Sequence, residues 1–178
     1  MTTLTAARAH SRSLPPVAAA GYAAAVTFVI LVVLFAAVLP AAGPNPPFAL
    51  TLLLAVDAIA FHLFLFPVIA ALPAPDWGRA AGYGWLVLDI TTNVMSVNGI
   101  GDATTTAIRL GGHIAAVTWV ASAAWQARGW TWLVGFVLTA VLGSYSFWGQ
   151  YVAPAAIMPA MVLMLAWVVL SARRLHQA

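Results

Sequence analysis

The sequence predicts an all-α polytopic membrane protein, a six-transmembrane-helix bundle with both termini cytoplasmic. Three observations carry that prediction. Of 178 residues, 63% are hydrophobic and 6% charged, against about 25% charged in an average soluble domain, so water could not solvate such a surface. Six predominantly apolar segments, near the ~20 residues a spanning helix needs, follow one another at about 17–39, 48–72, 81–99, 104–125, 130–148 and 154–172. The arginines, finally, sort to alternate connections.

Residues 1–16, "MTTLTAARAHSRSLPP", read as a short basic cytoplasmic tail. The stretch "VLPAAG" at 38–43 resembles a signal-cleavage site, but the apolar run before it exceeds the roughly 7–15 residues of a signal h-region and reads as a retained span. Residues 17–172 form one six-helix domain and 173–178 a second cytoplasmic tail. Turn chemistry separates the spans: "PAAGPNPP" (40–47), "PAPDWGR" (73–79), "NGIGD" (98–102), "ARG" (127–129) and "GQYVAP" (149–154). Such short links make sequential helices antiparallel neighbours.

With six spans, Arg8, Arg12, Arg79, Arg128, Arg173 and Arg174 share one side, and the loops of the other side hold no arginine. The positive-inside rule makes the arginine side cytoplasmic, in the inner (plasma) membrane of a cell. Trp77, Trp85, Trp125, Trp130 and Trp132 then belong to the cytoplasmic aromatic belt and Trp148 to the outer one. The formal charge of +3 comes from seven arginines and four aspartates. Despite a pI near 10.0, scattered arginines make no nucleic-acid patch, so no nucleic-acid partner is expected. The absence of cysteine excludes disulfides, thiolate metal sites and cysteine nucleophiles. No internal repeat is evident.

An ionisable side chain at membrane depth costs a few kcal/mol and marks a candidate site. At about 1.5 Å per residue, Asp57, Asp89 and His113 fall near the midplane, Arg109 one turn nearer the outside, and His62 deeper toward the cytoplasm. Asp89, Asn93 and Ser96 share a face of the third span, while Asp102, Arg109 and His113 share a face of the fourth and its entrance. Asp57 and His62, five apart, point in different directions. An outer-half pocket is therefore expected from Asn93, Ser96, Asn98, Asp102, Arg109 and His113. The end of the fifth span, "GSYSFWGQY", adds Ser144, Tyr145, Ser146, Gln150 and Tyr151. Pro154 and Pro159 are expected to kink the sixth span and free a carbonyl there.

Each candidate has a bland reading. Asp89 with Arg109 is either a structural ion pair that fixes register or the charged wall of a pocket, and Arg109 is expected to neutralise Asp89 or Asp102. His113 is either a hydrogen-bonded interior histidine or a proton relay. Asp57, with no evident cation, is either a helix–helix hydrogen bond or a proton donor. Gly111 and Ala115 read as close helix packing. No cofactor and no metal are expected: His62 and His113 lack the regular placement of haem ligands, and Asp57, Asp89 and His113 lack tight metal-ligand spacing. Without lysine no Schiff base can form.

The stretch "FHLFLFPVIAALPAPDWGRAAGYGWLVLDITTNV" (61–94) resembles a large family of uncharacterised bacterial multi-helix membrane proteins, classed only as a domain of unknown function. The resemblance lies in "LFPV" at 65–68, the polar loop at 76–79, Gly82 with Tyr83, and Asp89. The basic end "MLAWVVLSARRL" at 164–175 is similar too. It implies topology only, and the chain departs from it in its second-span histidine and fewer acidic groups.

Three functions are compatible with these residues. The first is binding of an amphipathic or lipidic small molecule in the outer-half pocket, with Arg109, Asn93, Asp102, Asn98 and Tyr145 as binding residues. The second is an intramembrane enzyme in which Asp89, Asp57 or His113 acts as catalytic acid on an apolar substrate, as in terpene-cyclase-like isomerisation or cyclisation. The third is a proton-coupled transporter relaying through Asp57, Asp89 and His113. Expected partners are the lipid bilayer, a hydrophobic or amphipathic small molecule and, for transport, a second copy of the chain in a homodimer.

Overall fold

Proline and glycine punctuate the chain into long helices. The computed structural model describes residues 14–43 and 45–178, so Arg8, Arg12 and most of the expected N-terminal tail lie outside the described residues. Among the described residues there are six long helices and no strand. Helix α1 is Pro16–Val33, extended through a π turn at Leu34–Val38 and a last turn at Leu39–Ala42. The other five are α2 (Phe48–Ala71), α3 (Asp76–Val97), α4 (Asp102–Trp125), α5 (Gly129–Trp148) and α6 (Met158–Gln177). Four stretches are long and apolar enough to cross a membrane: Pro16–Ala42, Phe48–Ala71, Gly129–Tyr151 and Ala155–Gln177. The chain is thus a membrane-embedded helical protein.

The start and stop signals explain several boundaries. Asp76 follows Pro75 and puts an acid in the first turn of α3, where it complements the helix dipole. The helix therefore begins five residues before the expected 81, inside the expected loop. At its far end Gly99 adopts φ +74°, and the amides of Gly99 and Ile100 donate to the carbonyls of Ser96 and Met95 at 3.2 and 3.0 Å. This is the glycine-dependent cap that reverses a chain tightly, and it sets α4 directly against α3. The π turn of α1 lies just ahead of Pro40, which has no amide to donate.

The sixth helix differs from expectation in two ways. Pro159 occupies its first turn, preceded by a 3-10 turn at Pro154–Ile157, so it frees no carbonyl and makes no kink. The proline that does lie inside a helix is Pro67 of α2. Helix α6 also runs on to Gln177 rather than ending at 172, and Arg174 donates to the Gln126 carbonyl at 3.1 Å.

Each helix packs on its neighbours in sequence, and α6 returns to pack on α1. The result is a closed up-and-down ring. Arg79, Arg128, Arg173 and Arg174 all fall at one end of it, the arginine end. Glycines set the close approaches there: a Cβ on Gly82 would stand 2.9 Å from Trp119, and one on Gly135 would stand 2.5 Å from Ala124. Gly111 has nothing within 4 Å, so the expected Gly111/Ala115 contact is not made; Gly112 packs on Leu88 instead. Inside the ring, the arginine half is filled by Trp119, Trp167, Leu65, Val68, Ile69 and Val120, all nearly or fully buried.

Candidate functional site

The other half of the ring is hollow. A cavity of about 490 Å³ is lined by side chains from all six helices and from the turn after α5. Phe28, Leu31, Phe35, Phe61, Met161 and Met164 form apolar walls, and Asn93, Arg109, His113, Tyr145 and Gln150 supply polar groups.

Asp89 lies at the boundary between hollow and filled halves. Its Oδ2 accepts a hydrogen bond from Trp85 Nε1 at 2.6 Å and lies 3.2 Å from His62 Nε2. The i, i+4 spacing of Trp85 and Asp89 on α3 brings the indole over the carboxyl. His62 Nδ1 lies 2.6 Å from the Ala58 carbonyl, which can only accept, so Nδ1 carries a hydrogen. Both ring nitrogens of His62 therefore face oxygens, Nδ1 the Ala58 carbonyl and Nε2 the Asp89 carboxyl.

Arg109 reaches across from α4. Its Nε and Nη2 donate to Thr92 Oγ1 at 3.3 and 3.1 Å, and Nη2 donates to Asn93 Oδ1 at 3.3 Å. Its Nε is 3.9 Å from Asp89 Oδ1. Thr92 and Asn93 are themselves oriented by donating to the Asp89 carbonyl at 2.9 and 2.8 Å. The polar faces of α3 and α4 thus meet through Arg109. Its side chain is 40% exposed, so the guanidinium stands at the mouth of the cavity. One turn further along α4, His113 is buried with an enclosed, unpartnered Nδ1, and its ring lies 6.3 Å from that of Tyr145.

The structure therefore brings Asp89, Asn93, Arg109, His113, Tyr145 and Gln150 to one cavity, while Ser96, Ser144, Ser146 and Tyr151 do not line it and Asp57, Asn98 and Asp102 also lie elsewhere. Asp57 is buried but does not line the cavity, and its Oδ2 has no hydrogen-bond partner. Asn98 is exposed and donates back to the Val94 carbonyl. Asp102 is exposed in the first turn of α4 and makes no ion pair with Arg109 among the described residues. Two turns separate Asp102 from Arg109, so a shared face does not bring their side chains together.

Two residues of the site were not anticipated. Trp85 is 3% exposed and is a partner of Asp89 rather than an interfacial anchor. His62 lies deeper than Asp89, their Cα atoms differing by roughly 6 Å of helix rise counted from the arginine end, yet the two side chains meet. Side chains lean toward the N-terminus of their helix, and α2 and α3 are antiparallel, so His62 and Asp89 lean toward each other and close that gap.

Among the described residues, no three histidines or acids converge as metal ligands. No protein-family model, curated protein or solved structure matches the chain.

Proposed function

We propose that the protein crosses the membrane six times and binds an amphipathic or lipidic small molecule in the ring cavity. The observation that carries this reading is the division of the cavity wall: Phe28, Phe61, Met161 and Met164 offer an apolar bed, while Arg109, His113 and Tyr145 gather at its polar side. The volume of about 490 Å³ lies within the roughly 300–1,000 Å³ typical of small-molecule sites. Ala58, 5% exposed on the cavity wall, is the place to block it. With Ala58→Trp, the apolar compounds that copurify with the wild type and are identified by mass spectrometry should disappear from a protein that still folds. An unchanged set of compounds would remove the cavity as their site.

The six-span topology is supported by the build of α3 and α4. They are 22 and 24 residues long, about 33–36 Å, against a hydrocarbon core of about 30 Å. Their average composition is diluted by Asp89, Thr92 and His113, which are buried within the ring, while Val87, Leu88, Val94 and Ile114 are among the exposed residues. Collection of the arginines at one end favours both termini on the cytoplasmic side of the plasma membrane.

One observation favours a second reading, proton transfer to the bound molecule. The His62–Asp89 contact borders a cavity walled by Phe61 and Trp85, and in its protonated form the pair has a proton to give. Donation to a carbon–carbon double bond would leave Asp89 as carboxylate and His62 neutral, with the new cation over aromatic faces. Return of a proton from the neighbouring carbon would restore the pair and yield an isomer. Asp89→Asn should then abolish a product found in extracts of cells expressing the wild type while the bound compound persists. A product made equally by the variant excludes Asp89 as the acid.

A further inference from the structure

Asp89 is the one acid on the cavity wall, and its carboxyl is shared: Oδ2 faces Trp85 and His62, while Oδ1 lies 3.9 Å from Arg109 Nε. Arg109 makes no hydrogen bond to that carboxyl, since its three go to the neutral Thr92 and Asn93. The other acids, Asp57, Asp76 and Asp102, do not line the cavity. A guanidinium so loosely paired beside a half-apolar cavity has bonding capacity left for a second anion.

Unused donors point the same way. Arg109 Nη1 donates to no described residue, and neither His113 nor the Tyr145 hydroxyl makes a hydrogen bond to one. All three side chains border the cavity together with Gln150. A guanidinium, an imidazole and a phenol around one opening suit an oxyanion, which accepts several hydrogen bonds at once.

We infer that the ligand's head group is an oxyanion, a carboxylate or a phosphate ester, held by Arg109 and His113 with its apolar chain against Phe28, Phe61 and the two methionines. The inference rests on the ligand-binding reading and adds the chemical class of the ligand. Positioned at the mouth, Arg109 also draws the anion in and rejects cationic amphiphiles.

Native mass spectrometry of the full chain released from a non-ionic detergent tests this with five probes: dodecanoate, dodecyl phosphate, neutral monolaurin, dodecyltrimethylammonium and inorganic phosphate. The two anionic amphiphiles should bind at least about tenfold more tightly than monolaurin, in line with about 1.4 kcal/mol or more from charge-assisted hydrogen bonds. Dodecyltrimethylammonium should bind least. Arg109→Gln should remove the preference, so that dodecanoate binds no tighter than monolaurin, and Arg109→Lys should retain part of it, which keeps the test valid should the glutamine variant fold poorly. Equal binding of monolaurin and dodecanoate overturns the anionic head group and leaves the cavity reading standing. Inorganic phosphate binding as well as dodecyl phosphate overturns the amphiphile in favour of a free anion. If the folded wild type binds none of the four amphiphiles, the cavity reading itself falls, and the inference with it.

Discussion

The arginine half and the cavity half of the ring are made by the same six helices and are filled in opposite ways. In the arginine half, glycines let the helices close up and two indoles occupy the centre, Trp119 against Trp167 at 4.8 Å and 87°. In the cavity half, none of the described residues occupies the centre, and the residues facing it are more polar. Asp89 stands at the seam, bonded to Trp85 and His62 on the filled side and faced by Arg109 on the hollow side. A tightly packed half holds the ring together, which frees the other half to stay open without collapsing.

The largest expected break in this comparison is a truncation in the filled half. Trp167→Ala, which removes a side chain 1% exposed, should cost about 3–5 kcal/mol in an SDS unfolding titration. Leu110→Ala on the half-buried cavity rim should cost about 1 kcal/mol. Similar costs would mean that the two halves carry equal shares of stability.

The seam is sharpened by paired double-mutant cycles. His62→Leu with Asp89→Leu should show coupling of about 2–3 kcal/mol, and Arg109→Met with Asp89→Leu only about 0.5 kcal/mol. The contacts of 3.2 and 3.9 Å set that order. Simple summing in the first cycle would remove the His62–Asp89 contact as a structural link.

The smallest contrast lies between two glycines. Gly82→Ala pushes a methyl into Trp119 and should lower stability by about 1–3 kcal/mol. Gly111→Ala, with open space around it, should raise stability by up to about 1 kcal/mol through helix propensity. A destabilised Gly111→Ala would place an unseen partner on that face.

Much of the helix layout was legible in the sequence, because long apolar runs and the Pro, Gly and Asn turns between them act locally. The polar faces of α3 and α4 were each legible for the same reason, since Asp89 with Asn93, and Arg109 with His113, are polar pairs at helical spacing on otherwise apolar helices; that the two faces meet was not, because packing sets the rotation of each helix. The cavity's apolar walls were not. Helices α1 and α2 are apolar all round, so no periodicity tells which face of "GYAAAVTFVILVV" turns Phe28 inward, or that Phe61 and His62 point to the centre and Asp57 does not. Trp85 carried a readable signal, its i, i+4 relation to Asp89, but its place near a helix end suggested an interface instead. Asp102 misled in the opposite direction, since shared face was taken as contact across two turns of helix.

The indoles of the chain fall into two optical populations. Trp77, Trp125, Trp130, Trp132 and Trp148 are 45–76% exposed, whereas Trp85, Trp119 and Trp167 are at most 3% exposed and follow one another with ring centres 5.9 and 4.8 Å apart. Excitation absorbed by any of these three is shared among them, and its first member donates a hydrogen bond to Asp89 at the cavity floor. With the outer five silenced by a water-soluble quencher, the remaining ultraviolet emission becomes a built-in lamp whose colour follows what occupies the ring.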